Sequence, residues 1–378
     1  MSGTPENSPP IPEYRWDFLT NRPTVLAPAR GLRPVEAKET AGQDAAWLAQ
    51  VRDPFLEGRE ERTPPELFAW REPGSQPNGP GWRVRVFPNA FPALISFARS
   101  GTPGAAGQLA PPSSSAIGVP RSLGPDVSNI PAAAVAAGAT PGVGIHELIV
   151  ECPHFEQRMS RLSPRNIEEV FSAYRQRILT LEQEHPSLRQ TVVFKNEGTA
   201  AGASQPHCHS QLLALPFVPP LIQERVVHAA AYFQQHQHCA MCDWLDRERE
   251  AGMRVVCETA ELSVVCPAAS RFSYETWIVP RRHASHFALA TDGQLEELSH
   301  LLQDLLGRLE CLNDDFAYNY VLQTAPYPTR RLPDFHWHLE ILPRMTGLGG
   351  FELGTGMFIN ILSPEVAAER IRQANMHT

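Results

Sequence analysis

The sequence predicts an α+β protein that contains two copies of one structural unit. Its 378 residues are enough for two domains. Two stretches repeat the same order of elements: a strand, an amphipathic helix, a second strand and a short histidine motif. The spacing repeats as well, because Ser163 precedes His207 by 44 residues and Thr291 precedes His336 by 45. An internal duplication explains these observations.

The first copy begins with a strand predicted over His146–Glu151. Ser163 is the predicted N-cap of the following helix, since Pro164 stands in the first turn and apolar residues then follow helical spacing. A second strand is predicted over Thr191–Lys195. The copy ends in a histidine motif, His207-Cys-His209-Ser-Gln211.

The second copy repeats these elements in the same order. A strand is predicted over Thr276–Val279, and Thr291 and Gln294 have the spacing of a capping box that begins a helix. Another strand is predicted over Tyr318–Gln323. The copy ends in the motif His336-Trp-His338-Leu-Glu340.

The first histidine motif has the pattern of a half-buried strand. Alternate residues of a strand share a face, so His207, His209 and Gln211 project together, while the leucines that follow indicate burial. Buried imidazoles need hydrogen-bond partners. The preceding turn, residues 196–204, offers glycines such as Gly202, backbone N–H groups and the Ser204 hydroxyl, which are the components of an anion-binding nest.

A neutral imidazole beside such a nest suits nucleophilic attack on a phosphorus atom. The alternative is that the polar residues are incidental features of two exposed strands.

Composition restricts the partners and the compartment. The net charge is −8 without a basic block, which argues against nucleic acid. No stretch approaches the roughly 20 apolar residues of a membrane span. Five of the seven cysteines are scattered singly, which predicts a reducing cytoplasm and no disulfide scaffold.

Residues 196–211, NEGTAAGASQPHCHSQ, closely resemble the active-site strand of the galactose-1-phosphate uridylyltransferase family, within the histidine-triad superfamily. Three other segments match in order. Residues 15–34 resemble the family's opening strand and basic turn near the phosphates, residues 87–94 its nucleoside-binding strand and residues 350–352 its hexose-binding segment.

The resemblance implies a tandem repeat of two histidine-triad-like domains, each an antiparallel β-sheet with packed helices. We expect a disordered tail over residues 1–13, an N-terminal catalytic domain over 14–218 and a C-terminal domain with a zinc site over 219–378. Residues 99–143 are expected to form a mobile insertion in the first domain. A homodimer is also expected.

The resemblance implies a nucleotidyltransferase that acts on nucleotide-sugars and hexose 1-phosphate by a ping-pong mechanism. By matching position, His209 attacks the α-phosphorus and carries the nucleotide covalently, while Gln211 and Ser204 contact the transferred phosphoryl oxygens. The other predicted substrate-binding residues are Arg30, Arg33, Asn89, Asn196, Gly202 and Glu352.

Many family members hold zinc in the first half, through a C-x-x-C pair, a histidine after the second strand and the first histidine of H-x-H. Here the matching segment begins at Asp53 and lacks both cysteines, and Phe155 stands where the third ligand is expected. We therefore predict that no zinc binds in the first half and that His207 needs a different partner.

The second half has a complete set of candidate zinc ligands. Cys239 and Cys242 form a C-x-x-C pair that, with His283 and His336, makes a Cys₂His₂ set of the structural type. His286 is the alternative to His283, and a pair of reduced core cysteines is the alternative to zinc. Because Glu340 replaces the glutamine of the motif, this half is interpreted as a degenerate repeat that serves the substrate or the dimer.

The nucleotide stays open at this point. Family members either transfer uridylyl groups or phosphorolyse ADP-glucose. Ala90 lacks the acidic side chain that would favour the uridylyl branch, and residues 87–94 and 349–356 look more like the phosphorylase branch. A histidine-triad nucleotide hydrolase and a non-catalytic nucleotide-binding protein are the alternatives from other classes.

Overall fold

A computed structural model of the protein describes residues 13–16, 23–26, 52–96, 140–313 and 316–374. The predicted tail, except for Glu13, and the greater part of the predicted insertion over 99–143 lie outside these residues. Arg30 and Arg33 lie outside them too.

Thirteen strands are present in the described residues. In chain order they are β1 (Glu13–Trp16), β2 (Pro23–Leu26), β3 (Phe68–Arg71), β4 (Trp82–Pro88), β5 (Thr140–Pro141), β6 (Ile145–Val150), β7 (Gln190–Glu197), β8 (His209–Leu215), β9 (Val255–Glu258), β10 (Leu262–Val265), β11 (Thr276–Pro280), β12 (Tyr318–Gln323) and β13 (His338–Pro343). Ten of them form one antiparallel sheet in the order β3-β4-β6-β8-β7-β12-β13-β11-β10-β9, and the other three form a small sheet, β2-β1-β5.

The strand order of the large sheet confirms the predicted duplication. Each strand of one half, counted outward from the central pair, corresponds to a strand of the other half: β7 to β12, β8 to β13, β6 to β11, β4 to β10 and β3 to β9. The two half-sheets are not separate, because β7 pairs with β12 from Glu197 opposite Tyr318 to Val193 opposite Leu322. This pairing covers two strand edges that separate domains would expose.

Six α-helices occur in the described residues: α1 (Pro164–Glu184), α2 (Pro220–His236), α3 (Ala240–Ala251), α4 (Asp292–Cys311), α5 (Gly350–Thr355) and α6 (Pro364–Gln373). Both predicted helix starts are confirmed. The Ser163 hydroxyl accepts a hydrogen bond from the Asn166 N–H (3.2 Å), and Thr291 and Gln294 form the capping box. None of the described helices combines the length and apolar character needed to cross a bilayer.

The two long helices α1 and α4 pack together on one face of the sheet. The core beneath them takes alternate residues of the strands, for example Leu212 and Ala214 from β8. Since strand side chains alternate, His209 and Gln211 project from the opposite face. The duplicated sheet therefore places the first histidine motif on the face that these helices leave open.

Candidate active site

His209 begins β8 and has the hydrogen bonding of a nucleophilic imidazole. Its Nδ1 lies 2.8 Å from the backbone oxygen of His207, which can only accept, so Nδ1 carries the proton and Nε2 keeps a lone pair. Burial lowers the pKa of His209 to about 4, so the ring is neutral at pH 7. A neutral imidazole with a free Nε2 can attack an electrophilic phosphorus.

His207 precedes β8 and is held on both sides. Its Nδ1 lies 2.6 Å from the Asp53 carboxylate, and its Nε2 lies 2.9 Å from the Cys152 carbonyl oxygen. Asp53 in turn accepts a hydrogen bond from the Phe55 N–H (2.8 Å). Asp53 is therefore the partner that the sequence pattern left open, in the segment where the family pattern has cysteines.

Phe55 adds an aromatic wall to the histidine motif. Its ring meets the His209 ring edge-on with centroids 5.5 Å apart, and the His207 ring at 6.0 Å. Phe155, at the position expected for a zinc-binding histidine, also packs edge-on against His207, at 6.2 Å. The rings of Phe55 and Phe155 thus pack against His207, and Phe155 does so from a position where the family pattern has a metal ligand. The prediction that this half binds no zinc stays a prediction.

His146, a residue that the sequence analysis did not identify as functional, lies between Gln211 and Asn89. The Gln211 Oε1 lies 2.9 Å from His146 Nε2, and Asn89 Nδ2 lies 3.1 Å from the same nitrogen. The Ala93 N–H donates to His146 Nδ1 (3.0 Å). The structure therefore brings together Asn89 and Gln211, which are far apart in the sequence.

The turn before the motif depends on two glycines with positive φ, Gly198 at 82° and Gly202 at 83°. A Cβ atom on Gly198 would lie 2.6 Å from the Ala317 Cβ, so the close approach of the two chain segments also requires glycine there. Across the sheet, Asn319 Nδ2 donates to Asn196 Oδ1 and to the Ala201 oxygen, each at 2.8 Å. The second half of the chain thereby anchors the turn.

Ser204 lies in this turn and is half-buried. Asn196 is the penultimate residue of β7, beside the start of β8, where Lys195 pairs with Ser210. The structure thus places Asn196, Gly202 and Ser204 at the same end of the sheet as His209.

A cluster of buried charged side chains contacts the strand that carries the first histidine motif, and the sequence analysis did not predict it. Lys195 is 1% exposed and donates to Glu151 (2.6 Å), with Glu197 3.7 Å away. Burial raises the pKa of Glu197 to about 7. Lys195 Nζ also lies 3.4 Å from the His209 carbonyl oxygen, so the cluster contacts the strand that carries the nucleophile.

The second histidine motif differs in its hydrogen bonds. His338 Nε2 lies 3.3 Å from the Glu340 carboxylate, and Trp277 packs on the ring with centroids 4.9 Å apart. Arg225 and Arg271 each contact the same carboxylate at 2.9 Å. The atom that corresponds to the free Nε2 of His209 is therefore engaged, which agrees with a degenerate repeat.

Four potential metal ligands meet in the second half. One ligand atom each from Cys239, Cys242, His283 and His336 lies within 4.8 Å of the others. Nδ1 of His283 and Nδ1 of His336 lie 3.5 Å and 3.4 Å from the Cys242 sulfur. Because Nε2 of His283 donates to the Leu332 carbonyl (2.6 Å), its Nδ1 presents a lone pair to the sulfurs, as a metal ligand does.

His286, the alternative third ligand, is directed elsewhere. Its Nε2 lies 3.0 Å from the Pro326 oxygen and its Nδ1 3.0 Å from the Ser285 hydroxyl. His283 is the histidine that joins the cluster. The donor set of two thiols and two imidazoles fits zinc.

Glu352 lies on α5, in the C-terminal part of the chain. Its carboxylate accepts hydrogen bonds from the Gly349 N–H (3.0 Å) and the Ile359 N–H (3.4 Å), so the structure shows it capping its own helix. Its predicted contact with sugar hydroxyls stays a prediction, and Arg30 and Arg33 lie outside the described residues.

Comparisons with known proteins identify the relatives of this chain. The family model described as "Galactose-1-phosphate uridyl transferase, N-terminal domain" matches residues 127–219, which include the first histidine motif. The ADP-glucose phosphorylase of Arabidopsis thaliana is 34% identical over 367 residues, which cover 97% of this chain and 93% of that relative. The galactose-1-phosphate uridylyltransferase of Thermotoga maritima is 28% identical over 241 residues, or 62% of this chain and 75% of that relative.

Two solved structures share the fold. The crystal structure of the Arabidopsis thaliana ADP-glucose phosphorylase with bound ADP-glucose has a TM-score of 0.69 at 31% identity and covers 97% of this chain and 99% of its own. A uridylyltransferase has a TM-score of 0.68 at 23% identity and covers 96% of this chain and 98% of its own.

Proposed function

Because this chain belongs to the galactose-1-phosphate uridylyltransferase family, we propose that it transfers a nucleotidyl group through a covalent intermediate on His209. The chain is a nucleotidyltransferase of that family. The observation that carries the proposed mechanism is the state of His209, whose Nδ1 donates to the His207 carbonyl while burial keeps the ring neutral.

In the first step the Nε2 lone pair of His209 attacks the α-phosphorus of a nucleotide-sugar. A nitrogen–phosphorus bond forms, the phosphorus–oxygen bond to the sugar phosphate breaks, and hexose 1-phosphate leaves with that electron pair. The ring becomes positively charged, and its Nδ1–H stays on the His207 carbonyl oxygen, 2.8 Å away. This hydrogen bond strengthens as charge develops, so it stabilises the intermediate.

In the second step an oxygen of the acceptor phosphate attacks the same phosphorus, and the nitrogen–phosphorus bond breaks. His209 is restored as a neutral imidazole. No proton has to leave Nδ1 in either step, which suits a nitrogen bound to a fixed backbone carbonyl.

The predicted roles of the other residues complete the proposal. Gln211 and Ser204 donate hydrogen bonds to the transferred phosphoryl oxygens, and the backbone N–H groups of the turn at Gly202 add to them. Asn89 and Asn196 help to hold the nucleotide. Arg30 and Arg33 neutralise the phosphates, and Glu352 binds hydroxyl groups of the hexose.

We favour adenylyl transfer from ADP-glucose to inorganic phosphate. The relative that supports it matches 97% of this chain at 34% identity, whereas the uridylyltransferase match covers 62% at 28%. Ala90, which follows Asn89, supports the same choice because it adds no carboxylate beside the nucleoside-binding strand. Uridylyl transfer between UDP-glucose and hexose 1-phosphate is the second candidate, since a uridylyltransferase family model covers the active-site strand.

A substrate panel distinguishes these candidates. The purified protein is incubated with ADP-glucose or UDP-glucose, each with phosphate, with galactose 1-phosphate or without an acceptor. Adenylyl transfer predicts ADP and glucose 1-phosphate from ADP-glucose plus phosphate. UDP-galactose from UDP-glucose plus galactose 1-phosphate would support the second candidate, and free nucleoside monophosphate without an acceptor would indicate a hydrolase.

We also propose that the cluster of Cys239, Cys242, His283 and His336 holds a zinc ion. When bound, zinc would crosslink α3 to the loops before α4 and β13. The ion would stabilise the C-terminal half, because the four ligands come from three separate segments of the chain. The cluster lies on the second half of the sheet, so we assign the ion no step of the reaction.

We also propose that the protein forms a homodimer and is located in the cytoplasm. Large apolar side chains are exposed close together in sequence, which is typical of an interface: Leu348, Phe351, Leu353, Met357, Phe358, Ile359 and Ile361. All seven cysteines are free thiols, as expected in a reducing compartment. Sedimentation of the purified protein would measure the oligomeric state.

A further inference from the structure

We propose that His146 is a positioning residue that fixes the side-chain amide of Gln211, so that both Gln211 N–H groups face the phosphoryl group in transfer. The inference rests on the proposed role of Gln211. It adds a residue whose own side chain need not contact the substrate.

His146 occupies the second position of β6 and is 5% exposed. It pairs in register with Leu213 of the neighbouring strand β8, so its side chain projects from the same face as Gln211, two residues earlier on β8. The histidine is thus a buried polar group on the same face of the sheet as Gln211, next to the residues that the chemistry needs.

The tautomer of His146 follows from its contact with a backbone N–H group, which can donate a hydrogen bond but cannot accept one. The backbone N–H of Ala93 points at Nδ1, 3.0 Å away, and a backbone N–H can only donate. Nδ1 therefore carries the lone pair, and the single proton of the neutral ring is on Nε2. Nε2 needs an oxygen as its acceptor.

That acceptor is Gln211 Oε1, 2.9 Å from Nε2. Asn89 does not compete for this role, because its Oδ1 already accepts a hydrogen bond from the Phe91 N–H (2.9 Å). Its Nδ2, 3.1 Å from His146 Nε2, can only donate and therefore cannot accept the Nε2 proton. The Ala93 N–H thus places the proton of His146 on Nε2, and this proton orients the Gln211 amide with Oε1 toward His146.

The consequence lies at the reaction centre. With Oε1 turned toward His146, the two N–H groups of Gln211 are left for oxygens on the substrate side, on the face that carries His209. A flipped amide would place an oxygen against the negatively charged phosphoryl oxygens. Donors aimed where charge develops stabilise the transition state more than the ground state, so loss of the orientation lowers the rate more than the binding.

Single-turnover kinetics of nucleotidyl-enzyme formation from radiolabelled ADP-glucose and UDP-glucose test this. We expect His146→Leu to lower the maximal rate by about 10- to 100-fold, as loss of an orienting partner does, with the half-saturating concentration changed by less than about threefold. His146→Gln keeps an N–H near the Nε2 position and should recover most of the rate. His300→Leu, an exposed histidine on α4, is the matched control and should match the wild type.

A double-mutant cycle separates orientation from general damage to the fold. In a Gln211→Ala background, His146→Leu should cost less than about threefold, because no amide remains to orient. The proposal is wrong if His146→Leu costs the same factor in both backgrounds, or if it changes only the half-saturating concentration.

A wild-type protein that forms no nucleotidyl-enzyme would count against the proposed function instead. In that case ¹⁵N NMR of histidine-labelled protein, assigned with His146→Leu, still decides the orientation. The Nε2-protonated tautomer of His146 is expected, and an Nδ1-protonated ring would overturn the inference.

Discussion

Asp53 and His207 are joined by a 2.6 Å hydrogen bond between the carboxylate Oδ2 and the imidazole Nδ1, although 154 residues separate them in the sequence. Both side chains are almost fully buried. Because the His207 carbonyl holds the Nδ1–H of His209, this pair connects the segment before β3 to the proposed nucleophile.

Replacing Asp53 should therefore affect both stability and catalysis. In Asp53→Asn one of the two carboxylate oxygens becomes an NH₂ group, so either His207 Nδ1 or the Phe55 N–H loses the oxygen that it faces. We expect the free energy of unfolding in urea to fall by about 1–3 kcal/mol, the usual cost of an unsatisfied buried donor. The rate of nucleotidyl transfer should fall by at least about 10-fold.

Glu61→Gln is the matched control for Asp53→Asn. It also converts a carboxylate to an amide in the segment before β3, but at an exposed position. It should therefore change neither the free energy of unfolding nor the rate of nucleotidyl transfer. If Asp53→Asn behaves like this control, the Asp53–His207 pair does not support the site.

The depressed pKa of His209 predicts a specific loss of stability in acid. An unfolded histidine titrates near 6.5 and the folded His209 at about 4, so between these values the unfolded chain binds a proton that the folded chain does not. Stability from this residue is complete above about pH 6.5 and decreases as the pH falls toward 4, by up to about 3 kcal/mol.

Urea unfolding at pH 7 and pH 5 measures this contribution. His209→Asn lacks the titrating ring, so its stability should decrease less between the two pH values than that of the wild type. Equal decreases in both proteins would show that His209 is not held in the neutral form.

Lys195 is predicted to be structurally essential. Its ammonium group donates to the buried Glu151 (2.6 Å) and lies 3.7 Å from Glu197, so Lys195→Met would leave buried carboxylates without their cation. We expect a loss of about 3–5 kcal/mol in the free energy of unfolding, as when one partner of a buried ion pair is removed. Lys195→Met with wild-type stability in urea would contradict this.

The proposed zinc site predicts a difference between two cysteine variants. Metal analysis should find about one zinc per chain in the wild type and in Cys311→Ser, whose thiol is exposed and outside the cluster. Cys239→Ser should retain little zinc and unfold at a lower temperature, since metal binding stabilises the folded state. The same stoichiometry in both variants would exclude the cluster as the site.

Local patterns were sufficient to predict much of the fold. Ser163 and Thr291 begin their helices as predicted, because caps are encoded within a few residues. The strands around each motif lie within one or two residues of their predicted ends, and the duplication was visible in the spacing. The pairing of β7 with β12, which joins the two half-sheets, could not be predicted from the sequence. Strand pairing between the copies depends on contacts that no local pattern records.

The same distinction applies to the site. The H-x-H pattern predicted that His209 and Gln211 share a face, and the C-x-x-C pair predicted the cluster around Cys242. The partners Asp53 and His146 were missed because they come from other strands or loops. A histidine among the mostly apolar residues of β6 was the one local signal for His146.

Trapping the covalent intermediate tests the central claim most directly. The wild type, His209→Asn and the matched variant His338→Asn are incubated with α-³²P-labelled ADP-glucose and UDP-glucose, then denatured and separated from free nucleotide. The account predicts acid-labile label on the wild type and on His338→Asn, none on His209→Asn, and its release as a nucleoside diphosphate when phosphate is added before denaturation. Label on His209→Asn, or none on the wild type with either nucleotide-sugar, would contradict it.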